Sequence, residues 1–183
     1  ASVRVQPDEG QASVAFRVMP GPQATFGEVS VERNAGVSAD AIRRGLDFRR
    51  GEVYRKERLI NTQRRIYRAG AFRAVTVQPD LSDSARTSVN VTVSVQERPF
   101  NHTRIGVGYD TEESLRGSAA WGHRNFLGGA RSLTVTGKAS RILIGGEVDF
   151  QQPFVIDSRT DLGLAAFIRR LREPGFHGAQ IGG

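Results

Sequence analysis

The residues able to do chemistry are few in this sequence, and their spacing joins none of them into a site. There is no cysteine, so thiolate nucleophiles, disulfides and cysteine-held metals are excluded. The three histidines, His102, His123 and His177, lie far apart without ligand spacing and read as turn or surface residues. Asp110, Glu112 and Glu113 imitate a carboxylate cluster, but carboxylates gathered in a turn are ordinarily just solvated. Leu127-Gly128-Gly129 is not followed by Lys-Ser/Thr before a helix, so it is no phosphate loop, and no Gly-x-Ser-x-Gly elbow occurs. The sequons Asn90-Val91-Thr92 and Asn101-His102-Thr103 read as chance matches, the first because it lies inside a strand. No enzymatic activity, metal or cofactor is expected.

Charge is the one chemical feature that is concentrated. Between Arg43 and Arg73 stand eleven basic and three acidic residues, a local +8 in a chain of net +7, so the remainder carries −1. The plain meaning is the solvated face of a helix pair. The functional one is a basic surface, Arg43, Arg44, Arg55, Lys56, Arg58, Arg64 and Arg65, facing anionic lipid headgroups. Nucleic acid is not expected as a partner, because stacking modules need exposed aromatics among the basic residues, and Tyr54 and Tyr67 are expected to pack on a sheet.

The elements that carry these residues follow from periodicity. Residues 2–19 read as a hairpin, with Val3 and Val5 before the turn Pro7-Asp8-Glu9-Gly10 and Val14, Phe16 and Val18 after it. Pro20-Gly21-Pro22 then breaks the chain. Phe26 to Glu32 alternates as a strand with Gly27, Val29 and Val31 on one face. Ser38 is an N-cap with Asp40 in the first helical turn, and Ile42 and Leu46 give that short helix an apolar side. A second helix is expected from Tyr54 to Ala69, with Leu59, Ile60, Ile66 and Tyr67 on one side and Gly70 as its terminator. Phe72 to Gln78 and Ser88 to Gln96 are strands on either side of a polar turn, and Val89, Val91, Val93 and Val95 make the second the clearest strand of the chain. The unit is α+β in the order β-α-α-β-β, a sheet with helices over one face.

After Pro99 the helical period vanishes. Ile105, Val107 and Tyr109 alternate with Gly106 and Gly108; Leu115, Ala119 and Trp121 with Arg116, Ser118 and Ala120; Leu133 and Val135 with Thr134 and Thr136. Ile144, Val148 and Phe150 alternate with Gly145, Glu147 and Asp149, and Leu162, Leu164, Ala166 and Ile168 with Gly163, Ala165 and Arg169. Five such segments of about 9–10 residues suit tilted transmembrane β-strands. The alternative is a soluble β-sandwich with one face buried, against which the interior glycines argue. The chain opens at Ala1 without a leader and stops at Gly183 beside the start of another strand, so it reads as a fragment cut at both ends.

Residues 25–99 resemble a polypeptide-transport-associated (POTRA) domain. The marks are Phe26-Gly27-Glu28-Val29, Val37-Ser38, Gly51-Glu52-Val53-Tyr54, Gly70-Ala71-Phe72 and Val95-Gln96-Glu97-Arg98-Pro99. Ile105-Gly106-Val107-Gly108-Tyr109-Asp110-Thr111-Glu112, residues 121–129 and Gln152-Pro153-Phe154 resemble the opening of the barrel in outer-membrane assembly factors of the BamA/TamA superfamily, slightly nearer the TamA-like pattern. The resemblance implies three parts: a hairpin at 1–22 from a preceding POTRA domain, a POTRA domain at 23–99, and at 100–183 the antiparallel opening strands of a barrel of about sixteen, incomplete here. It implies an outer-membrane location with the POTRA part in the periplasm. The implied partners are unfolded outer-membrane or secreted clients, outer-membrane lipid and other assembly-machinery subunits. The implied function is insertion or translocation of those clients. Phe72, Arg73, Ala74, Val75, Thr76 and Val77 would bind client strands by edge addition, and Thr103, Ile105, Gly106, Val107, Gly108 and Tyr109 would form a gate strand with the two glycines toward the lumen. The competing expectation is a soluble periplasmic protein-binding module with a sandwich tail.

Overall fold

The computed structural model describes residues 2–6, 11–15, 23–82, 87–111, 114–173 and 176–183. The expected turns at 7–10 and 83–86, Phe16 and Val18, Glu112 and Glu113, and the side chains of Asp110 and His177 lie outside the described residues. Strands β1 (Ser2–Gln6) and β2 (Gln11–Ala15) pair antiparallel as the expected hairpin.

The valine alternation of Ser88–Glu97 makes it the central strand, β5, of a three-stranded sheet. All four of its valines are buried. β3 (Thr25–Glu32) lies parallel on one side of β5, and β4 (Phe72–Pro79) antiparallel on the other. Helices α1 (Ala39–Arg44) and α2 (Lys56–Arg68) supply Ala41, Ile42, Leu59 and Ile66 to the core over the apolar face. Ser38 accepts the Ala41 N–H at its side chain (3.3 Å), and Gly70, at φ +79°, ends α2 where an L side chain would be strained.

Three expectations are corrected. First, a bulge between Phe26 and Val29 makes Phe26, not Gly27, the core residue; its ring stacks on Phe48 at 3.8 Å. Gly27 is where it is because a Cβ would strike Ser88 Oγ at 2.7 Å. Second, α1 ends at Arg44, two residues short of Leu46, which packs on the core from beyond its end. Third, the buried face of α2 is Leu59, Thr62 and Ile66; Ile60 is 39% and Tyr67 48% exposed. Instead of packing on the sheet, the Tyr67 ring lies under the Arg98 guanidinium, 6.0 Å from its centroid. Tyr54 does pack inward, tilted on Phe26 at 5.2 Å.

The second half is one antiparallel sheet of six strands rather than the expected five: β6 (Asn101–Asp110), β7 (Ser114–Phe126), β8 (Arg131–Ser140), β9 (Leu143–Gln152), β10 (Leu162–Glu173) and β11 (Phe176–Gly182), each beside the next. The sixth is the strand whose start the C-terminus suggested. Register puts like with like across the ladder. Thr103, Trp121, Val135, Val148 and Ala166 share one rung; Ile105, Ala119, Gly137, Gly146, Ile168 and Ile181 share another on the same face. The opposite face carries Arg104, Thr136 and Glu147 on one rung, and Ser118, Lys138, Arg169 and Gln180 on the next. The apolar face is bare: Ile105, Val107 and Tyr109 are 75–78% exposed. Among the described strands no second sheet covers this face of the six-stranded wall.

The phase of α2 makes a direct forecast. Ile66→Ala should lose about 2–5 kcal/mol of stability through cavity formation, and Ile60→Ala under about 1 kcal/mol. Urea unfolding followed by helical circular dichroism measures both.

Candidate functional sites: two open edges and the junction between them

Backbone direction decides what each sheet edge offers. The Asp80 N–H donates to the Asn90 carbonyl at 2.8 Å, which makes residues 74, 76 and 78 the ones bonded inward to β5. The N–H and C=O groups of Val75 and Val77 therefore point away from the sheet, at its free edge. Pro79 has the same direction but no N–H. The opposite edge of the domain is partly closed: Phe26 and Tyr54 donate to Glu52 and Ala24 (2.8 and 2.9 Å), and Gly51 donates to Phe26 (2.8 Å), so residues 51–54 cover the start of β3. Of the expected client-binding residues, Phe72 and Val75 are core residues by side chain, while Arg73, Ala74 and Thr76 face solvent.

The same rule applied to β6 gives a longer edge. Arg124 N–H donates to the Phe100 carbonyl at 2.9 Å, and pairing runs unbroken from Asn101↔His123 to Asp110↔Ser114. Even-numbered residues of β6 thus bond to β7. Residues 101, 103, 105, 107 and 109 turn their amides outward, without a proline or a bulge among them. The expected gate strand, Thr103 to Tyr109, is the middle of this edge. Gly106 and Gly108 lie on the face opposite Ile105, Val107 and Tyr109, and a Cβ on either would meet β7: Ser118 Oγ at 2.8 Å and Arg116 Nε at 2.9 Å. These glycines give the Ser118 and Arg116 side chains room to lie across the strand, a steric role beyond the low order and easy curvature that glycine suggests in sequence.

Between the two edges, the domain and the wall are joined at two turns. Glu97, at the end of β5, accepts the N–H groups of Ala35, Gly36 and Val37 (3.1, 3.0 and 2.9 Å). The loop so held receives the β7–β8 turn: Asn125 Nδ2 donates to the Gly36 carbonyl (2.8 Å), Ala130 N–H donates to Asn125 Oδ1 (2.9 Å), and Ser38 N–H donates to the Gly128 carbonyl (3.1 Å). Ala130 is buried in the core cluster of the first domain, so one core runs through the junction. The β9–β10 turn makes the second contact. Asp47, buried between α1 and α2, holds Arg65 at 2.6 Å and Arg159 of the turn at 3.5 Å; Arg65 also donates to Ser158 of the turn. The Phe154 ring lies against Gly45, where a Cβ would approach it to 3.0 Å.

Asp47 is the only carboxylate placed deep in this junction among the described residues. Burial works against its charge, but the Asn61 amide (3.1 Å) and the Arg65 and Arg58 guanidiniums outweigh burial and hold its carboxyl below the ordinary value. The other expected basic residues divide. Arg58 donates to the Asp47 carbonyl (2.6 Å) and lies 3.4 Å from Glu52, Arg43 pairs with Asp40 (2.9 Å), and Arg44, Arg55, Lys56 and Arg64 face solvent. Sequence reading assigned no role to Asp47, Glu97 or Asn125, whose importance lies in partners distant in sequence: Arg65 and Arg159 for Asp47, residues 35–37 for Glu97 and Gly36 for Asn125. A group whose pKa is depressed on folding stabilises above its unfolded pKa and ceases to as pH falls through the folded one. Protection of the β9–β10 turn amides from hydrogen exchange is therefore expected to hold at neutral pH and to be lost only on acidification below the ordinary carboxylate range. Asp47→Ala should show the same loss at every pH.

Residues 24–98 match the family model POTRA, described as the surface antigen variable number repeat. The outer membrane protein assembly factor BamA of Neorickettsia risticii (strain Illinois) is 20% identical over 164 residues, 90% of this chain and 22% of the relative, so the chain spans about a fifth of that protein. The crystal structure of BamA from Haemophilus ducreyi lacking POTRA domains 1–3 superposes with a TM-score of 0.75 at 19% identity, covering 93% of this chain and 32% of that one. CdiB from Acinetobacter baumannii gives 0.57 at 15% identity, covering 81% and 29%. Residues 24–98 thus form a POTRA domain, and the antiparallel strands that follow it share their fold with part of the BamA barrel.

Proposed function

We propose that this chain is the membrane-proximal segment of an outer-membrane protein assembly or translocation factor, in which extended client segments dock on β4 and β6 serves as the gate strand that pairs with client strands entering the membrane. The observation that carries this reading is the β6 edge: five residues with outward amides on a strand whose apolar side chains are exposed. An unpaired amide row is untenable in hydrocarbon and is satisfied by any extended backbone, whatever its sequence. The client's own apolar stripe, buried in lipid at roughly 25 cal/mol per Å², supplies the driving force without a chemical energy source. The clients are unfolded outer-membrane or secreted proteins, and the hairpin at 1–22 is the end of a preceding POTRA domain.

A lipid contact fits the same frame. Ile156, 84% exposed, and Val155 project from the β9–β10 turn, and a shallow hollow brings Ile156 together with Arg43, Arg44 and Arg49. An apolar tip ringed by arginines suits the headgroup boundary of the periplasmic leaflet, with Arg44, Arg55, Lys56 and Arg64 adding attraction on the order of 1 kcal/mol each where the lipid is anionic.

The test uses the direction of the amides. Val107→Pro removes an outward donor and spares the ladder to β7, whereas Gly108→Pro breaks that ladder. In the whole protein, Val107→Pro is expected to leave the barrel folded, as read by heat-modifiable gel migration, and to abolish client insertion. A folded Val107→Pro protein that inserts clients at the normal rate overturns the gate reading.

A further inference from the structure

The β4 edge is not fully open, and the side chain that closes it is Gln63. Its Nε2 donates to the Val75 carbonyl at 2.9 Å, from the exposed side of α2. That carbonyl is one of the outward acceptors of the edge, as the Asp80–Asn90 hydrogen bond fixes. At the start of the strand the Phe72 carbonyl is held by Arg98 Nε, also at 2.9 Å. At its other end Pro79 has no N–H to offer. Between these limits the unencumbered outward groups are the N–H of Val75 and both groups of Val77.

We infer that Gln63 is a displaceable guard on the client-binding edge. It occupies the Val75 acceptor in the resting domain and must swing away before an extended segment can pair along the whole of β4. This rests on the reading of β4 as a client edge and adds how access to that edge is regulated. Edges left unpaired invite association with any other edge, and proteins blunt them with prolines, charges and covers. Here one end is blunted permanently by Pro79, while the cover at Val75 is a flexible amide that costs a single exchangeable hydrogen bond to remove. A short incidental contact finds both a donor and an acceptor free only at Val77. A client long enough to replace the Gln63 bond with its own N–H gains the adjoining position too. The guard therefore discriminates by length of extended backbone rather than by side-chain identity. Gln63 makes no contribution to the buried core, so its loss leaves the domain folded.

The experiment places a photoreactive benzoylphenylalanine at Thr76, which faces solvent on β4, in the whole protein reconstituted in lipid. The probe is a fluorescent ten-residue peptide copying residues 162–171 of this chain, with and without N-methylation of alternate amides. Gln63→Ala and Gln63→Met both free the Val75 acceptor, and each is expected to lower the half-saturating peptide concentration by roughly three- to tenfold, the worth of one net hydrogen bond. A peptide too short to span both Val75 and Val77 should gain less. Unchanged or weaker capture by both variants, with the N-methylated peptide still failing to bind the parent, overturns the guard and leaves the edge reading intact. Equal capture of methylated and unmethylated peptides by the parent overturns the edge reading itself.

Discussion

Every peptide unit brings a donor and an acceptor that must be paired somewhere, and this chain is organised by where it leaves them unpaired. In the POTRA sheet the start of β3 is covered by residues 51–54, β4 is left open over a few residues, and β5 is satisfied on both sides. In the wall, four strands lie between neighbours while β6 turns a row of alternate amides outward. The two edges differ in kind. The one in water is short, bracketed and partly occupied, since an exposed edge there is an aggregation hazard. The one at the membrane is long and uninterrupted, and its demand for a partner is far greater because lipid offers no substitute for a hydrogen bond.

The junction makes these edges parts of one body. Glu97 closes the last strand of the domain over the loop that meets the β7–β8 turn, and Asp47 closes the helix pair over the β9–β10 turn. The first contact consists largely of backbone and amide hydrogen bonds around a shared apolar core. The second is an ion cluster with one partner, Arg159, two-thirds exposed. Salt and acid act on the second far more than on the first.

Much of this was legible in the sequence where a single period governs. The valines of β5, the cap at Ser38, the terminator at Gly70 and the alternation of the wall strands each follow from local rules, and their sum resembles a known family. The errors sit where a local period is overridden. A bulge at Gly27 shifted the core from glycine to Phe26, with the glycine itself as the available warning. Leu59, Ile60, Ile66 and Tyr67 form two adjacent stripes seven residues apart, and pattern alone does not say which one the sheet covers. The residues of the junction were invisible for a different reason: an Asp, a Glu and an Asn acquire their roles from partners that only the tertiary fold brings near. The amide directions at the two edges, and with them Gln63, depend on hydrogen-bond register, which no composition reports.

Of the five non-glycine residues with positive φ among those described, three, Leu127, Ala130 and Phe154, lie in the two turns that meet the POTRA domain. That conformation is costly for a residue with a side chain, on the order of 1 kcal/mol or more, and a free hairpin would relax out of it. Ala130 and Phe154 are held there by burial against α1 and its surroundings, which exist only once the domain has formed. The POTRA core is thus the surface against which the β7–β8 and β9–β10 turns take this conformation. The wall strands therefore carry, in the same chain, the template that fixes the turns at their POTRA end.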